Sequence, residues 1–168
     1  QLVIFGATGD LTLRKLMPAL TTLAEKGLPE EGFHVVGVSR ADRNHDQYRA
    51  ELRDALPSKQ HAAFDAMADR VTYVSADVMQ PDHMHRLGDH LDSLPGGKDS
   101  TRIFYLSLAP SLFASAVTHL AQAGLVEMAE NAAFGKRRVV VEKPFGVDLA
   151  SARALNAELH EHLHEKQI

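Results

Sequence analysis

Five short apolar runs, separated by helix-like segments, constrain the fold of this chain more than any other feature. The runs are rich in β-branched and aromatic residues and span residues 2–5, 35–38, 71–74, 103–108 and 139–141. Strands that are apolar nearly throughout are typical of a parallel sheet with helices on both faces. The alternation predicts an α/β fold with a Rossmann-type doubly wound parallel sheet, in a single domain over residues 1–168. A sixth strand beginning at Gln167-Ile168 is left open.

The first crossover is predicted to be one helix from about Leu11 to Lys26. Leucines recur on one face of this segment, and Gly27 follows its end. Pro18 falls inside the helix and removes one intrahelical hydrogen bond. This proline predicts a kink or a shift to a tighter turn.

The later crossovers are also predicted to be helical. Residues 42–69 should hold two helices that break around residues 56–58, where a proline stands. Further helices are expected over residues 82–94 and 111–123, each followed by glycine. Asp148 is the expected N-cap of a last helix, and the inner stripe of that helix should be Ala152, Leu155, Leu159 and Leu163.

Composition excludes several classes of partner. Of 168 residues, 45% are hydrophobic and 24% are charged, as in an ordinary soluble domain. The net charge of −4 argues against sequence-independent nucleic-acid binding. Cysteine is absent, which excludes disulfides and thiolate metal sites and favours a cytoplasmic location. Neither a membrane span nor a signal segment is indicated. The chain starts inside its first strand without methionine, so we expect trimmed ends.

A glycine-rich turn joins the first apolar run to the first helix. Glycine lets the backbone approach a ligand closely, and the N–H groups at a helix start attract an anion such as a pyrophosphate. The spacing is GxxG, not the GxGxxG of the usual dinucleotide fingerprint, and a tight turn with no ligand is the alternative. Arg14 and Lys15 follow one turn later, where they could add positive charge or lie on a solvated face. The predicted cofactor-binding residues of the turn and helix are Gly6, Ala7, Thr8, Gly9, Asp10, Leu11 and Lys15.

The second run ends at Ser39-Arg40, where NAD-preferring enzymes usually carry a carboxylate for the ribose 2′-OH. A hydroxyl and a guanidinium instead suit a 2′-phosphate, which a carboxylate would repel. An ordinary surface arginine is the alternative. Chain order places Arg40 at the site, so the sequence predicts NADP in preference to NAD.

Three further strand ends supply candidate residues, because parallel sheets bind ligands at the carboxyl ends of their strands. Asp77 and Val78 are expected to border the adenine. Tyr105 is a candidate for the nicotinamide half, or else a core tyrosine. Lys143 follows the fifth run in Glu-Lys-Pro and could bond a sugar hydroxyl and the cofactor edge, with Pro144 fixing its backbone through a cis peptide. The alternative is a surface Glu-Lys pair.

Four stretches together resemble the glucose-6-phosphate dehydrogenase family and cover essentially the whole chain. They are residues 6–16 with Pro18, Ser39-Arg40, residues 104–110 and residues 142–146, in the order that the family has them. Residues 106–110 read LSLAP where the family often has LALPP, so this loop departs from the family pattern.

The resemblance implies the NADP-binding part of an oxidoreductase that oxidises glucose 6-phosphate at C1 to 6-phosphogluconolactone, the first step of the pentose phosphate pathway. It implies that residues 6–11 cradle the pyrophosphate and that Arg40 meets the 2′-phosphate. It also implies that Tyr105 borders the cofactor. Lys143 is then a catalytic residue that touches both cofactor and sugar, and no metal is required. We expect a homo-oligomer when the protein is complete, and neither nucleic acid nor membrane as a partner.

In this family a histidine motif resembling RIDHYLGKE supplies the catalytic base, and a large sheet domain completes the sugar site. We expect both beyond Ile168, so the chain alone should bind cofactor at best. Two alternatives stay open. Another nicotinamide-dependent sugar dehydrogenase would normally show GxGxxG at the first strand, and a non-catalytic nucleotide-binding module would need no histidine motif.

Residues 160–164 read HEHLH and match the HExxH pattern of zinc proteases. A zinc site would need a third protein ligand, and cysteine is absent. Leu159 and Leu163 define the buried stripe of this segment. We therefore expect the three histidines to form a solvated face on an amphipathic helix.

Overall fold

A five-stranded parallel sheet forms the centre of the computed structural model, which describes residues 1–27, 32–127 and 136–168. The strands are β1 (Leu2–Phe5), β2 (Val35–Ser39), β3 (Val71–Ser75), β4 (Arg102–Leu106) and β5 (Arg137–Val141). Their order across the sheet is β3-β2-β1-β4-β5. The direction in which successive strands are added to the sheet thus reverses between β1 and β4, and a ligand crevice is expected at that switch point. The predicted Rossmann-type sheet is confirmed.

Helices cover both faces of the sheet. They are α1 (Met17–Glu25), α2 (His45–Ala55), α3 (His61–Met67), α4 (Pro81–Ser93), α5 (Phe113–Gln122) and α6 (Leu149–His160). The break predicted in the second crossover is confirmed, because α2 ends at Ala55 and a short 3-10 helix, Ser58–Gln60, precedes α3. No helix in the described ranges is long and apolar enough to cross a membrane.

Two hydrophobic cores lie on opposite faces because successive strand side chains alternate in direction. Phe5, Phe104 and Leu106 pack with the inner faces of α4 and α5. Ile4 packs on the other face against residues of α1, α2 and α3. Since Tyr105 stands between Phe104 and Leu106, it faces the second core, where it is partly buried. The alternation decides which strand residues can reach which side of the crevice.

The first helical segment differs from the prediction around Pro18. A wider π-helical stretch, Thr12–Leu16, precedes α1, and the Met17 N–H donates to the Thr12 carbonyl. The predicted tighter turn is therefore wrong. Proline lacks an N–H and its ring crowds the carbonyl four residues earlier, and one widened turn before it relieves that crowding. Gly27 ends the segment with a φ of +73°, as its position predicted.

The remaining elements confirm one prediction, answer the question left open at residues 167–168 and correct one strand end. The Asp148 carboxylate accepts from the Ser151 N–H at 2.8 Å, so Asp148 is the N-cap of α6. Glu165–Gln167 forms a 3-10 helix, and a sixth strand does not begin there. β4 ends at Leu106, two residues before the predicted end, and the Ser107 carbonyl lies against the glycine-rich turn.

Candidate functional site

An open cleft of about 380 Å³ lies at the carboxyl ends of the central strands. Residues after β1, β2, β3 and β4 form its walls. The lining residues are Phe5, Gly6, Thr8, Gly9, Val38, Ser39, Arg40, Ala41, Ala76, Asp77, Val78, Met79, Ser107, Leu108 and Leu112. The structure thus brings together the predicted residues Gly6, Thr8, Gly9, Ser39, Arg40, Asp77 and Val78. Ala7, Asp10, Leu11, Lys15, Tyr105 and Lys143 are not among the lining residues.

Gly6 allows the first turn to pass against the end of β4. Its φ is +76°, and a Cβ at this position would lie 1.9 Å from the Ser107 carbonyl oxygen. The N–H groups of Gly6 and Ala7 both donate to the Val38 carbonyl, at 2.9 and 3.1 Å. The Gly9 N–H donates to the Gly6 carbonyl at 2.9 Å. These three donors stabilise the turn itself, and the glycines contribute close approach.

The first helical turn lies directly behind this loop. Helical backbone begins at Asp10, and the Thr12 hydroxyl donates to the Gly6 carbonyl at 3.2 Å. The first N–H groups of a helix lack intrahelical acceptors, so this turn presents donors to an anion. The Asp10 carboxylate pairs with Arg14 at 2.9 Å, and both side chains are exposed. Lys15 is exposed as well.

The end of β2 brings Ser39 into the cleft wall, and the loop that follows brings Arg40. The Thr8 hydroxyl donates to Ser39 Oγ at 3.2 Å, so the first two loops are joined across the cleft. Arg40 is exposed and lines the cleft. A guanidinium and a helix start therefore border one opening, and both are suitable donors for phosphate.

Two histidines that sequence reasoning did not single out hold the loop after β3. The Asp77 N–H donates to His83 Nδ1 at 2.9 Å, and His119 Nδ1 donates to the Val78 carbonyl at 2.5 Å. The Asp77 carboxylate also accepts from the Met79 N–H at 2.9 Å. This loop therefore has fixed ends and a defined wall facing the cleft.

A second polar group, which we call the Lys143 group, consists of Tyr105, Glu142 and Lys143. The Tyr105 hydroxyl donates to one oxygen of the Glu142 carboxylate. The other oxygen accepts from the Lys143 N–H at 3.3 Å. Burial raises the pKa of Tyr105 to about 12, and the bond to Glu142 and its charge act in the same direction. The tyrosine therefore stays a donor. Lys143 is exposed, and its bond to Pro144 is cis as anticipated.

The HEHLH segment does not present its histidines on one helix face. α6 ends at His160, and His164 precedes the following 3-10 helix. His160 pairs with Glu165 at 2.9 Å, and His162 bonds to Thr118 at 3.1 Å. The expected solvated face is therefore wrong for His160 and His162, which are half-buried. Within the described ranges, acidic and histidine side chains form no cluster of metal-ligating type.

Comparison with known proteins identifies the family of this chain. The family model described as the NAD binding domain of glucose-6-phosphate dehydrogenase matches residues 3–168. The chain belongs to this family. Glucose-6-phosphate 1-dehydrogenases from Bacillus subtilis and Rhizobium meliloti are each 37% identical over 99% of the chain. The chain spans about a third of their length, 34% and 33% respectively.

Solved structures of the glucose-6-phosphate dehydrogenase family have the same fold. The enzyme from Mycobacterium avium superposes with a TM-score of 0.83 at 39% identity, over 99% of this chain and 35% of that one. A glucose-6-phosphate dehydrogenase in complex with its substrate glucose-6-phosphate also gives a TM-score of 0.83, at 27% identity. It is covered over 34% of its length. The chain is therefore the dinucleotide-binding domain of this family.

Proposed function

We propose that this chain is the NADP-binding domain of an enzyme that oxidises glucose 6-phosphate at C1 to 6-phosphogluconolactone. Family membership and the cleft at the topological switch point support the reaction class. The cofactor would lie with its pyrophosphate at the glycine-rich turn and its adenine beside Asp77 and Val78. A cytoplasmic homo-oligomer is part of the same proposal.

The observation that carries the choice of NADP is the position of Arg40 in the cleft wall, next to Ser39 and opposite Thr8. Among the lining residues Asp77 is the acidic one, and it follows β3. Its carboxylate already accepts the Met79 N–H. The loop after β2 thus offers a 2′-phosphate a guanidinium, without a carboxylate among the residues of that loop that line the cleft.

The cleft fits a dinucleotide because it combines close approach with anion-binding donors. The backbone at Gly6 lies against the end of β4 and leaves no space there for a Cβ. When bound, NADP would supply the acceptor for the hydride that leaves C1. Lys143 would orient the sugar and the cofactor edge. Glu142, held by Tyr105, would fix the backbone that carries Lys143.

The substitution Arg40→Ala tests the cofactor assignment. Losing a charge-assisted phosphate contact costs about 1.5–3 kcal/mol, or roughly ten- to a hundredfold in Kd. Binding titrations should therefore show this loss for NADP and little change for NAD. Arg43→Ala is the matched control, because Arg43 is nearby and exposed but pairs with Glu51 and does not line the cleft. Equal losses for both cofactors in Arg40→Ala would contradict the assignment.

We expect the chain alone to bind NADP without reducing it in the presence of glucose 6-phosphate. Oxidation at C1 requires a base within hydrogen-bond reach of the hydroxyl proton. His83 and His119 hold the loop after β3, and neither is among the residues that line the cleft. Turnover by the purified chain, free of complete enzyme, would place the base in this domain and contradict the proposal.

A further inference from the structure

Tyr73 makes an unusual set of contacts with the loop that carries Arg40. Its side chain is 3% exposed, and its ring packs on Tyr48 with 4.8 Å between centroids. The Tyr73 hydroxyl lies 2.6 Å from the Ala41 carbonyl oxygen and 3.2 Å from the Ser39 carbonyl oxygen. One buried hydroxyl therefore contacts the carbonyls of the residues immediately before and after Arg40.

The same hydroxyl is joined to the glycine-rich turn through a continuous series of hydrogen bonds. A phenol has one proton, and the shortest acceptor distance assigns it to the Ala41 carbonyl. Tyr73 then accepts from Ser39 Oγ at 2.7 Å, and Ser39 Oγ accepts from the Thr8 hydroxyl at 3.2 Å. Ser39 Oγ also accepts from the Ala41 N–H at 3.3 Å. Every hydroxyl proton of the series thus has an acceptor.

Tyr48 provides a matched contact on the other loop. Its hydroxyl donates to the Ala7 carbonyl at 3.3 Å, inside the glycine-rich turn. Its ring occupies the space above Gly37 of β2, where a Cβ would lie 2.5 Å from the ring. The two stacked tyrosines therefore stabilise different parts of the cleft. Tyr48 holds the turn expected at the pyrophosphate, and Tyr73 holds the loop expected at the 2′-phosphate.

We propose that Tyr73 is a positioning residue that strengthens the preference of the cleft for NADP over NAD. It acts through Arg40. Because the Arg40 side chain is exposed, the position of the backbone that carries it determines where the guanidinium can reach. A long cationic side chain binds a phosphate more tightly when the backbone that carries it is already in place, because less conformational entropy is lost on binding. This inference rests on the proposed function, since it assigns Tyr73 to the loop that recognises the 2′-phosphate.

The test compares Kd values for NADP and NAD in wild type, Tyr73→Phe, Tyr48→Phe and Arg40→Ala. Tyr73→Phe keeps the stacked ring and removes only the hydroxyl. It should lower the NADP preference by about three- to tenfold, the range for one neutral hydrogen bond. Tyr48→Phe removes the matched hydroxyl and should weaken both cofactors by the same factor. A partly unfolded variant raises both Kd values equally, so the ratio does not depend on stability.

A double variant separates positioning through Arg40 from a general effect. In the Arg40→Ala background, adding Tyr73→Phe should change the NADP to NAD ratio by less than about twofold, because the side chain that Tyr73 positions is absent. If Tyr73→Phe keeps the wild-type ratio of Kd values while Arg40→Ala removes the NADP preference, this inference is overturned and the proposed cofactor is not. Wild type without NADP preference, or equal losses in Arg40→Ala, would overturn the proposed cofactor and this inference with it.

Discussion

The cleft and the Lys143 group lie at the same edge of the sheet, but the chain stabilises them to different degrees. In the cleft, the loops after β1, β2 and β3 are tied to one another or to helices by side-chain hydrogen bonds. Around Lys143, by contrast, the neighbouring Val147 and Leu149 are 92% and 66% exposed. The chain therefore builds a preorganised dinucleotide cleft and presents Lys143 on an open surface. In the enzyme proposed above, we expect the sugar phosphate to require walls from outside this domain.

The largest expected effect comes from Lys143→Ala in the complete enzyme. Because the lysine is exposed and has no packing role in the described structure, Tm should change little. If Lys143 orients the sugar and the cofactor edge, kcat/KM for glucose 6-phosphate should fall by several orders of magnitude. Steady-state kinetics and thermal unfolding measure the two quantities. Lys98→Ala is the control, since Lys98 lies at the opposite end of the sheet near Asp92. A stable Lys143→Ala enzyme with near-normal turnover would make Lys143 an ordinary surface residue.

Gly6→Ala should damage the cleft more than the rest of the fold. The new Cβ would meet the Ser107 carbonyl at 1.9 Å in a backbone with φ of +76°. Left-handed strain and overpacking together cost about 3 kcal/mol or more. Gly124→Ala isolates the strain, because Gly124 has φ of +67° with nothing within 4 Å of the added carbon. Its cost should be about 1 kcal/mol. Chemical denaturation compares the two, and equal losses would mean that the Ser107 contact is relieved by a shift of β4.

The smallest effect concerns the edge strand that carries Tyr73. Burial lowers the pKa of His90 below its ordinary value, and the nearby His45 lowers it further. His90 Nε2 is bonded to Thr72 of β3 at 2.9 Å. Because the unfolded chain binds this proton more readily than the folded one, stability should fall as pH drops below about 6.5.

Thermal unfolding between pH 8 and pH 5 measures this dependence. His34, whose pKa is also lowered mainly by burial, contributes in the same direction. His90→Gln keeps a hydrogen-bonding group opposite Thr72 without the titration, and it should make the Tm profile flatter while leaving the NADP to NAD ratio unchanged. A profile as steep as that of wild type would remove His90 from the acid response.

The sequence predicted the strands and most of the cleft because both depend on local patterns. Apolar runs and a glycine-rich turn place Gly6, Ser39, Arg40 and Asp77 at strand ends, and parallel strands bring those ends together. The widened turn at Thr12–Leu16 could not be predicted in the same way. Proline indicates that a helix must adjust but does not specify in which direction.

The residues that stabilise the cleft from behind carried no sequence signal. Tyr73 is one of several apolar residues in its strand, and its role arises from contacts with Ser39 and Ala41, more than thirty positions away in the chain. His83 and His119 are likewise two of ten histidines until the fold brings them to the loop after β3. The place of a residue in a helix or strand pattern predicts whether its side chain is buried. It does not reveal which distant backbone group a buried hydroxyl or imidazole will contact.

The Tyr48 ring fills the space that a side chain at position 37 would need. This contact limits which residues can replace either of the two during evolution. A side chain at position 37 would overlap the Tyr48 ring by more than small movements can relieve, since the Cβ alone would lie 2.5 Å from it. A smaller residue at 48 would leave a cavity above the sheet and remove the hydroxyl that reaches Ala7. The two positions should therefore vary together among relatives, with any side chain at 37 accompanied by a smaller residue at 48.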